Sequence, residues 1–125
     1  MSTASPPLLV CLCARWCNTC EAYRPTLQAL AAAHPGLQTA WVDIEDHADA
    51  LAGEAGDAPD IENFPTLLLL QDGAPRFFGP VLPHAAVAER LLAQAATGAL
   101  PPLRDPAARQ VADAVQALRA SGALD

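Results

Sequence analysis

Apolar and polar residues along the chain fall into segments with two distinct periods. Leu8 to Ala14 is an unbroken apolar run, which predicts a buried strand. Tyr23, Leu27, Leu30 and Ala31 then recur at helical spacing, predicting a helix over Asn18 to Ala33 that ends at His34-Pro35-Gly36. Pro25 lies inside that helix, where it removes a backbone donor and is expected to kink it. Gln38 to Ile44 predicts a second strand, and an acidic, alanine-rich helix follows near Asp46 to Ala52. Residues 53–60 are rich in glycine, proline and aspartate and read as a loop.

The second half repeats this logic. Thr66 to Leu70 is a strand covered on both faces, Asp72-Gly73 a hairpin turn, and Arg76-Phe77-Phe78 the returning antiparallel strand. Pro83 opens a helix through Ala96, with Val87, Leu91, Leu92 and Ala95 on one face and Gly98 at its C-terminus. A proline-rich joint, residues 99–103, leads to a last helix with Asp105 as N-cap and Pro106 in its first turn. Its stripe of Ala108, Val111, Ala112, Val115 and Leu118 is expected to cover the sheet edge of its own domain or to mediate self-association. The order βαβ(α)ββα plus a helix predicts an α/β fold, a central mixed sheet flanked by helices. Two parts are expected: 1–98 as the main domain, and 99–125 as the joint and C-terminal amphipathic helix.

Composition narrows the function. The chain has 125 residues, 52% hydrophobic and 17% charged, which bounds it to one globular domain. A net charge of −7 disfavours nucleic acid and anionic membrane as partners. No segment approaches the ~20 apolar residues of a membrane span. Residues 1–7 lack a basic region and lead straight into the first strand, so no signal peptide is expected and the predicted location is cytoplasmic.

The candidate chemistry lies in Trp16-Cys17-Asn18-Thr19-Cys20, between the first strand and the first helix. Cysteines at this spacing close and reopen a small disulfide, and a mixed disulfide formed at Cys17 is within reach of Cys20. Zinc is the competing reading, because Cys11, Cys13, Cys17 and Cys20 number the four ligands a structural site needs. Two ligands in a strand and one in a helix make a poor tetrahedron, so no metal is expected. Cys11 and Cys13 share one face of their strand and are expected as small core hydrophobes, with Cys11 as an auxiliary thiol in the sharper reading. The acidic run Asp43-Ile44-Glu45-Asp46-His47 reads as a strand end and helix start, and His34 and His84 receive no role.

Ala14-Arg15-Trp16-Cys17-x-x-Cys20, the helix carrying Pro25, Val42-Asp43-Ile44 and Phe64-Pro65-Thr66-Leu67 together resemble the thioredoxin family over about residues 8–96. The resemblance implies the thioredoxin-like fold and a thiol–disulfide oxidoreductase acting on protein disulfides. Cys17 would be the exposed nucleophile, Cys20 the buried resolving thiol, and Pro65 a cis-proline facing them. Trp16, Phe64 and a Phe78-Gly79 turn would line the substrate groove. No bound cofactor is implied, and electrons would come from an external reductase or a small thiol. A reducing to intermediate potential is expected, since Asn18-Thr19 carries no positive charge.

Three departures qualify the resemblance. Cys11 stands where the family keeps a buried aspartate, Trp41 where it keeps that aspartate's lysine partner, and with few residues before the first strand the family's leading strand and helix are expected to be missing. The alternative function is a non-catalytic thioredoxin-like interaction module or redox sensor.

Overall fold

In a computed structural model of the protein, residues 7–14, 18–52, 65–81 and 84–122 are described. The first apolar run forms strand β1 (Leu8–Cys13), and all of its residues are buried. It is continuous in hydrophobicity because it is central: it pairs in parallel with β2 (Gln38–Asp43) and antiparallel with β3 (Thr66–Gln71). Strand β4 (Ala74–Pro80) completes the sheet in the order β2-β1-β3-β4. The sheet is mixed, as expected from the sequence.

Residues of alternating parity on β1 feed two cores. Leu9, Cys11 and Cys13 face helices α1 (Asn18–Ala33) and α3 (Ala85–Ala96), together with Leu67 and Leu69. Leu8, Val10 and Leu12 face α2 (Ala48–Ala52) and α4 (Pro106–Ala120), together with Leu68 and Leu70. The result is a three-layer α/β/α arrangement. Among the described residues, no helix is long and apolar enough to cross a membrane.

Local chemistry sets the element ends. Asp72 and Gly73 both have positive φ, 55° and 78°, so the predicted Asp-Gly turn is a two-residue hairpin loop matched to strand twist. Helix α3 closes with the Gly98 N–H donating to Ala95 O at 3.2 Å and the Ala99 N–H to Gln94 O at 2.9 Å. Gly98 has φ 75° in this closure and lies one residue beyond the C-cap, Thr97.

Helix α1 runs from Asn18 to Ala33 as expected, with Pro25 inside it, where the proline removes the donor that would reach the Glu21 carbonyl. Three expectations about elements are corrected. Helix α2 starts at Ala48, not near Asp46, because the Asp43 carboxylate accepts from the Glu45 and Asp46 N–H groups at 2.8 and 3.0 Å and holds them in a turn. Helix α3 starts at Ala85, after His84 as N-cap, and Pro83 lies outside the described residues. Phe78 and Gly79 lie within β4, not in a turn.

Helix α4 covers a face of the sheet, not its edge. Ala108, Val111, Ala112 and Val115 are buried beneath it. Its polar side chains fasten it as well: Gln110 Nε2 donates to the Leu51 and Ala52 carbonyls at 2.8 and 3.0 Å, and Arg119 donates to Gln38 Oε1 at 3.1 Å. The joint is tied to β4 by Leu103 N–H to Pro75 O at 2.8 Å and by Arg76 to Leu100 O at 2.9 Å.

Candidate active site

Three cysteines meet where β1 ends and α1 begins. Cys13 is the last residue of β1, and Cys20 is in the first turn of α1. Strand alternation points Cys11 and Cys13 at α1, while helical spacing turns Cys20 and Tyr23 inward together. Cys13 and Cys20 are joined in a disulfide, with their Cα atoms 5.8 Å apart. Cys11 stays outside this bond, yet its Sγ lies 3.2 Å from Cys13 Sγ. All three residues have zero solvent exposure.

The layer around the sulfurs is apolar: Leu9, Leu67, Leu69 and Leu27 belong to the same core. Tyr23 is fully buried in it, and its hydroxyl has no hydrogen-bond partner among the described residues. Burial, and secondarily the nearby Cys11, pushes its pKa up to about 12, so it stays a neutral phenol across the working pH range. At the margin of this layer, Arg24 lies over the Trp41 ring, 4.0 Å from its centroid, and donates to Glu21 at 3.1 Å. His34, given no role from sequence, contacts the Glu89 carboxylate and so links the end of α1 to α3.

The expected site residues fall into three groups. Cys20, Cys11 and Pro65 are placed and buried; Pro65 sits just before β3, and its carbonyl accepts from the Val81 N–H at 3.0 Å. Gly79 is opposite Leu67 in the ladder and so lies toward the cysteine layer. Phe78 packs instead with Val10, Leu68 and Val111 on the α4 side, and the fold does not bring it to Cys20. Trp16, Cys17 and Phe64 lie outside the described residues.

Sequence reasoning missed Cys13. The reading as an inert core filler is corrected: Cys13 is bonded to Cys20. The signal was present in Cys11-x-Cys13, whose shared face lies under the helix carrying Cys20. The same bond bears on zinc, because two sulfurs joined to each other do not serve as thiolate ligands. Among the described residues, no cluster of three or more His, Cys, Asp or Glu is disposed to hold a metal.

Comparison with known proteins agrees with this architecture. A thioredoxin from Mycolicibacterium smegmatis is 36% identical over 72 residues, covering 58% of this chain and 62% of the relative. A thioredoxin from Chlamydia trachomatis is 33% identical over 72 residues, covering 58% of this chain and 66% of the relative. The chain therefore matches slightly less than two thirds of the length of these relatives. Among solved structures, Fasciola hepatica thioredoxin superposes with a TM-score of 0.59 at 21% identity, covering 72% of this chain and 81% of that one. Mitochondrial thioredoxin 3 from Saccharomyces cerevisiae gives 0.59 at 22% identity, covering 72% and 79%. The thioredoxin family model matches residues 1–87. On that match, the chain belongs to the thioredoxin family.

Proposed function

We propose that the protein is a thiol–disulfide oxidoreductase that exchanges disulfides with protein substrates through Cys17 and Cys20. The observation that carries this reading is Cys20. It is a buried sulfur in the first turn of a helix in a thioredoxin-family chain, already engaged in a disulfide, with Cys17 three residues before it. Cys17 immediately precedes Asn18, the first residue of α1, where unpaired N–H groups and the helix dipole favour a thiolate.

The cycle runs from the reduced cluster. Cys17 thiolate attacks a substrate disulfide, and one substrate sulfur leaves as a thiolate. Cys20 then attacks the Cys17 sulfur, the second substrate thiolate departs, and two electrons have passed to the substrate. Trp16, Phe64, Pro65 and Gly79 are the proposed substrate contacts; Gly79 has support in its place opposite Leu67, which packs in the cysteine layer, and Phe78, on the α4 side of the sheet, is set aside. Electrons return from an external reductase or small thiol in the cytoplasm, with no bound cofactor. For α4, covering its own sheet has support in its buried stripe, and self-association has none.

Insulin reduction with dithiothreitol as electron source tests the reading. Catalysis by the wild type, lost in Cys17→Ser, is expected, and Cys20→Ser should accumulate mixed disulfides with substrate. A wild type no faster than dithiothreitol alone would leave the chain as a binding module or redox sensor.

A further inference from the structure

Cys20 has two sulfur partners available to it. One is Cys17, through the CxxC spacing; the other is Cys13, to which it is bonded in the structure. We propose that Cys13 is a third redox-active thiol, which takes Cys20 over from Cys17 by internal exchange. The oxidised protein then holds its disulfide in the core and presents Cys17 as a thiol. This rests on the Cys17/Cys20 reading above and extends it.

The exchange balances without an external oxidant. Cys13 sulfur attacks Cys20 Sγ of the Cys17–Cys20 disulfide; the Cys13–Cys20 bond forms as the Cys17–Cys20 bond breaks. Cys17 leaves as a thiolate, and the proton lost by Cys13 is made up at Cys17. One disulfide is present before and after, so no electron enters or leaves the protein.

Two features favour the buried isomer, and a third assists its formation. Cys13 and Cys20 are held by rigid elements, a strand end and a helix turn, with Cα atoms 5.8 Å apart, inside the range a disulfide spans. Cys17 is the better leaving group, because it precedes a helix N-terminus while Cys13 is in an apolar core. Cys11 Sγ, 3.2 Å from Cys13 Sγ, is placed to donate its S–H to the Cys13 thiolate before it attacks, which raises the fraction of the attacking form. The family's charged residues at positions 11 and 41 are replaced here by a thiol and an indole, so the layer under Cys20 holds sulfur chemistry in place of a carboxylate.

The consequence is functional. A Cys13–Cys20 disulfide has zero exposure and is shielded from external thiols, which reach it by way of Cys17. Reduction must then reverse the exchange: Cys17 thiolate attacks Cys20 Sγ, the Cys13–Cys20 bond breaks as Cys17–Cys20 forms, and the incoming thiolate then attacks Cys17 Sγ with Cys20 leaving as a thiolate. The buried bond stores the oxidised state, and Cys17, as a thiolate, is a site for capture of a small disulfide such as oxidised glutathione, one half of which leaves as a thiolate.

Thiol titration of Cys17→Ser separates the possibilities. The chain has four cysteines, so this variant has 4 − 1 = 3 thiols when reduced. After oxidation with diamide and removal of excess reagent, 3 − 2 = 1 thiol is expected under denaturing conditions. Peptide mapping should join Cys13 to Cys20 and leave Cys11 alkylated. In the oxidised wild type, maleimide applied to the native protein should label Cys17. Three thiols remaining in oxidised Cys17→Ser, or a wild type that maps only as Cys17–Cys20, would overturn the inference. If wild-type insulin reduction persists alongside either result, the oxidoreductase reading stands and only the role of Cys13 falls.

Discussion

Cys11 and Trp41 are direct partners in the parallel β1–β2 ladder, on the face that carries the cysteine layer. The two residues at the positions of the family's charged pair are therefore neighbours: where a carboxylate would need a cation, a thiol faces an indole. Arg24, at that margin, is spread over the Trp41 ring and paired with Glu21.

Cys11→Asp should for this reason destabilise the protein, not repair it. A carboxylate at a position with zero exposure, whose ladder partner is an indole, costs about 3 kcal/mol. Burial raises the pKa of such a group, so the deficit should be smallest in acid and grow as pH climbs from about 4 upward. Adding Trp41→Lys supplies the missing cation, and a double-mutant cycle on urea midpoints should show favourable coupling between the two changes. A single variant as stable as wild type at pH 7 would contradict the burial argument.

Tyr23 makes the opposite prediction. Its hydroxyl is buried without a partner among the described residues, so Tyr23→Phe removes an unmet polar group and should be neutral or stabilising by up to ~1 kcal/mol at pH 7. The wild-type phenol has its pKa raised from 10.0 to about 12 in the folded state. Its contribution is intact below pH 10 and is lost as pH rises through 12, because the unfolded chain ionises first. Between those values the wild type should lose about 2 kcal/mol relative to Tyr23→Phe, read from denaturant midpoints at each pH.

The sequence was most legible where one local cause decides the structure. Strands β1 and β3 are unbroken apolar runs because both faces are covered, and the Asp72-Gly73 turn follows from the need for positive φ at both residues. Element starts were harder, since the onset of α2 depends on the side chain of Asp43 in the preceding strand. The partner of Cys20 was hardest. The CxxC spacing offered Cys17 three residues away, whereas the bond to Cys13 depends on how closely a strand end approaches the first turn of the next helix. Periodicity gives the face a residue points to. It does not give the distance between two faces.

Helix α4 should prove integral to the fold, even though it lies beyond the residues matched by the family model. Val115 is fully buried on it, among Leu8, Leu70 and their neighbours, so Val115→Ala should cost about 2 kcal/mol. Truncation after Arg104 would strip the cover from Val10, Leu12 and Leu68 and should yield a chain that binds a hydrophobic dye and unfolds without a sharp transition. A truncated chain with a cooperative, wild-type melting curve would show that α4 is an accessory.

The hairpin provides the most local test. Gly73 has φ 78°, and a Cβ there would meet only the Gln116 side chain, at 3.8 Å. Space is therefore not the obstacle to Gly73→Ala; backbone conformation is. Holding an alanine in the left-handed region costs about 1 kcal/mol. Moving the turn would instead disturb the β3–β4 register, which already shifts between Leu69 and Leu70. Gly73→Asn tolerates the same φ and should recover most of the loss. Equal destabilisation by alanine and asparagine, measured by thermal melting, would point to a lost contact at Gly73 in place of backbone strain.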